Sequence, residues 1–186
     1  MIGYQILLPP GWAQIPLRAG TDEAVAAILD AATEGHTPPP DWREQMTVEL
    51  GKTATRARAD SCVHLYVPIA ALHGLTVPAA ISVADVAFGS LDPLDPSLLV
   101  QRLAAAPGGK QVIIAGAVCS RAESTHPADP NHGAPLPFRR VDYLMPFPDD
   151  PDRWLVVTFT TLAPENLEWV ALFDAMMTTF AWTQQP

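Results

Sequence analysis

An α+β fold is what this sequence predicts, and three observations predict it. Stretches with an apolar residue at every second position are interspersed with stretches whose apolar residues recur every three to four. A hydrophobic content of 48% against 17% charged residues suits a packed core and not a disordered chain. A length of 186 residues, without internal repeat, low-complexity tail or dividing linker, fits one domain, 1-186.

The elements follow in order. Two short strands, "YQILLP" and "WAQIPL", flank Pro9-Pro10-Gly11, a strong turn signal. "TDEAVAAILDAATEG" reads as a helix with Thr21 as its cap, Asp22 and Glu23 at the positive end of its dipole, and Gly35 as its stop. Its buried stripe is Val25, Ile28, Leu29 and Ala32. After the stiff connector "HTPPPDW", Asp41 and Glu44 resemble a capping box, and a second helix runs from Trp42 to about Arg58 with Trp42, Met46 and Leu50 on one face. "CVHLYVPI" and "PAAISVADVAFG" are strands joined by a loop containing His73 and Gly74. "DPSLLVQRLAAAPGG" is a short helix ended by Pro107 and two glycines. "KQVIIAGAVCSRA", "FRRVDYLMPFP" and "RWLVVTFTTL" are three further strands, the last apolar on both faces and therefore central. A final helix starts near Pro164 and runs to about Ala181, with Trp169, Phe173, Met176 or Met177, and Phe180 at helical spacing.

Charge narrows the function classes. The chain carries a net charge of −9, from 20 acids against 11 bases, of which only Lys52 and Lys110 are lysines. There is no basic run, so no nucleic-acid partner is expected. The first twenty residues hold no early positive cluster, and no stretch reaches the ~18 to 20 apolar residues of a spanning helix. The expectation is a cytoplasmic chain without membrane insertion, whose Cys62 and Cys119 are buried thiols.

Four groupings could carry chemistry. His126, Asp129 and His132 are spaced three apart, but Pro127 and Pro130 exclude a helix, and a Pro-rich loop pre-organises ligands poorly. The 126–132 loop therefore reads as turn chemistry, with no metal or cofactor expected. His64 follows Cys62 on one strand face without an orienting acid, so a nucleophilic couple is not expected. "APGGK" ends a helix where a phosphate cradle would precede one, and "FGSLD" lacks a nucleophile elbow. Asp149 and Asp150 lie in a turn. No residue is assigned a catalytic role. Pro38, Pro39, Pro40 and Trp42 form the candidate partner-binding segment, because prolines lower the ordering cost of docking and tryptophan is enriched at interface hot spots. The opposing expectation is that Trp42 packs internally.

The two ends of the chain carry a resemblance. "YQILLPPGWAQIPL" is strand, Pro-x-Gly-Trp, strand, and the close "FRRVDYLMPFPDDPDRWLVVTFTTLAPENLEWVALFDAMMTTFAW" is two long strands and a helix. Together they resemble the Mog1/PsbP-like family, including its small actinobacterial members. A low lysine count beside abundant Ala, Arg and Pro fits such a source. The resemblance implies an α/β/α sandwich: an antiparallel sheet of about six strands flanked by helices. It also implies a non-enzymatic role binding another protein, as a secretion-associated chaperone, immunity protein or adaptor. Two alternatives stand beside it: a small hydrolase or metal-dependent enzyme using the 126–132 loop, and an apolar small-ligand carrier with a pocket between sheet and last helix.

Overall fold

A computed structural model of the chain describes residues 2–35, 37–69, 77–87, 95–130 and 134–184. In chain order the elements are β1 (Ile2–Gln5), β2 (Trp12–Pro16), α1 (Thr21–Ala32), α2 (Trp42–Ala59), β3 (Cys62–Pro68), β4 (Ala79–Ala87), α3 (Pro96–Ala104), β5 (Gly109–Ile114), β6 (Ala117–His126), β7 (Phe138–Phe147), β8 (Asp150–Thr161), α4 (Leu167–Thr178) and β9 (Ala181–Gln184). The chain forms two compact units, one of residues 9–84 and one of residues 1–8 with 85–186. The α+β character is as expected, and the ladders between the strands are antiparallel. The strand count is not. A sheet of about six strands was expected, whereas the described residues hold nine strands, of which β1 and β9 form a ribbon of their own.

In the unit of residues 9–84, β2 pairs β3 from Trp12↔Pro68 to Pro16↔His64, and β3 pairs β4. Alternation buries Ile15 and Leu65, and α1 adds Val25, Ile28 and Leu29 at the predicted spacing. α2 contributes only Ala54 and Ala57 to the buried set, with Trp42, Met46 and Leu50 packed against it. Both expected caps are corrected. Thr21 is the first helical residue, and its hydroxyl donates to the Pro16 carbonyl at 2.7 Å. Asp41 precedes α2 in the left-handed region (φ 61°) with no side-chain cap hydrogen bond, so the capping box does not form.

In the other unit the strand order is β8-β7-β6-β5, with β1 and β9 as a separate two-stranded ribbon. One face of β7–β8 presents Tyr143, Val157 and Phe159 to α4, whose Phe173 is fully buried and stacks on Phe159 at 4.8 Å. The opposite face presents Leu144 and Trp154, which cluster with Val100 of α3. In this unit α4 and α3 thus pack on opposite faces of the β7–β8 pair.

Two boundaries differ from the sequence reading. "KQVIIAGAVCSRA" is a hairpin and not one strand: Ala115 and Gly116 adopt φ of 49° and 79°, the left-handed pair of a type I′ turn. The last helix stops at Thr178, ahead of the expected Ala181, because two successive β-branched threonines are poor helix formers. Trp182 then belongs to β9 and packs on Phe147 and Phe180 at 4.9 and 5.0 Å.

Candidate functional site

The segment singled out from sequence is only partly available at the surface. Pro39 and Pro40 are exposed and Pro38 is half-buried, while Trp42 is half-buried against the cluster of Ile15, Val25 and Leu29. Trp42→Ala is expected to cost about 2 kcal/mol, below the ~3 to 5 kcal/mol of a fully buried tryptophan, and thermal melting checks it. An unchanged melt would return Trp42 to the list of interface anchors.

Of the residues read as the 126–132 loop, His126 is instead the last residue of β6, paired with Phe138; its Nε2 lies 2.8 Å from Ser124 Oγ, and its ring stacks on Phe138 at 4.6 Å. Asp129 bridges Ala134 through backbone hydrogen bonds at 2.6 and 2.9 Å. His132, like His36, His73 and the serine of "FGSLD", lies outside the described residues. Among the described residues no three His, Cys, Asp or Glu side chains are grouped to hold a metal ion. Neither cysteine is in a disulfide, and of the two thiols expected to be buried Cys119 is, while Cys62 is half-buried. Burial pushes the Cys119 thiol up to about 11, so it holds almost no thiolate at neutral pH. A bulge separates Cys62 from His64, which is tilted against Tyr66 at 6.2 Å.

The sequence reading missed a different constellation, built where β5, β6 and β7 meet α4. Its centre is Arg121, 4% exposed on β6. Arg121 Nε donates to Asp174 Oδ1 at 2.7 Å and to the Tyr143 hydroxyl at 3.3 Å, and the Tyr143 hydroxyl donates to the same Asp174 oxygen. Arg121 Nη2 reaches Glu123 Oε2 at 3.0 Å, and Glu123 Oε1 accepts from Arg139 Nη1 at 2.5 Å. Arg139 Nε in turn donates to the Pro164 carbonyl at 2.5 Å. The network therefore ties α4, and the turn leading into it, to the sheet face.

Electrostatics agree with that geometry. Burial opposes the Arg121 charge, but hydrogen bonds to Asp174 and Tyr143 outweigh it and raise its pKa above the ordinary value. Burial, reinforced by the bond to Asp174, raises the Tyr143 phenol well above its usual range, so it stays a neutral donor.

Arg121, Tyr143 and Asp174 of this network floor an open cavity of about 240 Å³ whose other lining residues are Lys110, Val112, Ile113, Ile114, Met177 and Thr178. Its volume lies below the ~300 to 1,000 Å³ of pockets that hold drug-sized ligands, so it has room for a side chain and not for a lipid.

Beside the cavity runs an open strand edge. Among the described residues β5 pairs only β6, from Gly109↔Ala122 to Ile114↔Ala117. The Glu123 amide donates to the Gly108 carbonyl at 3.0 Å, which makes Gly108 and Glu123 a hydrogen-bonded pair. In an antiparallel ladder such pairs alternate. Lys110, Val112 and Ile114 thus turn their backbone groups to β6, whereas Gln111 and Ile113 turn theirs outward. Gly109 shares the outward direction, but its amide donates to Ala106 at 2.8 Å. The Ile113 side chain is 77% exposed and that of its cross-strand partner Val118 is 53% exposed.

Comparison of the chain with protein-family models and with curated proteins finds no match. No helix among the described residues is long and apolar enough to cross a membrane.

Proposed function

We propose that this chain is a non-enzymatic, cytoplasmic protein-binding domain that takes an extended segment of another protein onto the open edge of β5. The observation that carries the reading is the outward backbone of Gln111 and Ile113: two amides and two carbonyls presented in register beside a 77% exposed isoleucine. An added strand pairs with those groups and gains affinity from main-chain hydrogen bonds, while adjacent pockets supply specificity. Proteins usually blunt such edges with charge or proline, and among the residues of β5 only Lys110 does so. The Mog1/PsbP-like kinship of the chain ends belongs to the same proposal, since proteins of that fold act as adaptors and chaperones.

The test is a photo-activated cross-linking residue placed at Ile113 in the native host, with exposed Val48 of α2 as the control position. The reading expects a discrete adduct with another protein from position 113 and none from 48. Equal adducts from both positions, no adduct, or an adduct of two copies of this chain would overturn it.

A further inference from the structure

We propose that the cavity behind β5 holds one aromatic side chain with a neutral hydrogen-bond donor, tyrosine or tryptophan, carried by the segment that docks on that strand. This rests on the β5-edge reading and adds the chemistry of the anchor.

Register places the anchor. Side chains paired across a ladder share a sheet face. The docked residue opposite Val112 therefore points to the face of Val112 and Ile114, which is the face that lines the cavity. Its neighbours, opposite Gln111 and Ile113, point to the other face, where Ile113 is exposed. The docked segment thus alternates, with an apolar residue against Ile113 and the anchor one position away.

The lining selects the anchor. Val112, Ile114 and Met177 form apolar walls, and a methionine sulfur makes favourable contacts with aromatic rings. At the floor, Asp174 uses Oδ1 for both Arg121 and Tyr143, while its Oδ2 has no hydrogen-bond partner among the described residues. The Asp174 side chain is 38% exposed, and it lines the cavity. A carboxylate only accepts, so an entering group must donate. A purely aliphatic side chain would strip water from Oδ2 and return nothing. A lysine or arginine would bring a third cation beside Arg121 and Lys110, and an acid would face Asp174. A phenol or indole satisfies both walls and floor. Lys110, an exposed residue of the lining, can set its ammonium against the ring face.

The experiment uses the full chain and three probes: 4-ethylphenol, its methyl ether 4-ethylanisole, and ethylbenzene. The methyl resonance of Met177 reports occupancy, assigned by Met177→Leu. The expected result is a saturable shift with 4-ethylphenol and about tenfold weaker binding of the other two, the worth of one hydrogen bond to a charged group. Val112→Trp, which fills the cavity from its wall, is expected to abolish the shift. Equal or stronger binding of ethylbenzene, or no Met177 shift with 4-ethylphenol, overturns the anchor. If the Ile113 cross-link survives that outcome, the edge reading stands and only the anchor falls; if both fail, both fall.

Discussion

Arg121→Ala is expected to lower the stability of the fold by about 3 kcal/mol, the lower end of the range for breaking one side of a buried ion pair. The lower end applies because the stranded acids keep other partners: Asp174 retains Tyr143, and Glu123 retains Arg139. Both also keep some water, with side chains 38% and 26% exposed. The cost is the deletion of a 4%-exposed guanidinium with its three hydrogen bonds, leaving a void under α4. Replacing Arg121 by Met together with Asp174 by Leu is expected to recover part of the loss, since an apolar pair of similar volume tends to match a buried ion pair, while the buried Tyr143 hydroxyl is left without either partner. Denaturant unfolding of the two single variants and the double variant checks this, and additive losses would show that the two residues act independently.

Truncation after Leu162 is expected to have the larger effect. It removes α4 and β9, which uncovers Val157 and Phe159, deletes Phe173, Met176, Met177 and Phe180 from the core, and leaves β1 without its ladder. Each large apolar side chain is worth ~1.5 to 3 kcal/mol of burial, and the sum exceeds the ~5 to 15 kcal/mol that holds a domain together. The truncated chain should fail to melt cooperatively by circular dichroism. A soluble product with a sharp transition would contradict the place given to α4.

Much of this architecture is legible in the residues. The apolar β8 and the Val25, Ile28, Leu29 part of the α1 stripe are read directly from periodicity and are buried as read, whereas Ala32, the fourth member of that stripe, is only half-buried. What periodicity does not carry is where an element stops. Gly116 lies inside a continuous apolar run, so the turn it makes with Ala115 is hidden among strand-like neighbours. The spacing of Phe173, Met176 or Met177, and Phe180 extends a helical pattern past Thr178, although β-branched residues end the helix there.

The site was less legible for a different reason. Arg121 and Asp174 are separated by 53 positions and each stands as a lone charge in an apolar stretch, "VCSRA" and "LFDAMM". A lone charge among core residues signals that a partner exists, but only the fold says which. The open edge had no sequence signal at all, because outward and inward backbone groups are set by ladder register and not by side-chain type.

The measurement that bears most directly on the β5 edge is the Ile113 cross-link repeated in a Gln111→Pro background. Proline deletes one outward amide and leaves the β5–β6 ladder intact, since Gln111 does not donate to β6. The expected result is a melting temperature within a few degrees of the parent, as for other exposed changes of about 0.5 kcal/mol, together with loss of the adduct. An adduct undiminished by Gln111→Pro would contradict docking by strand addition.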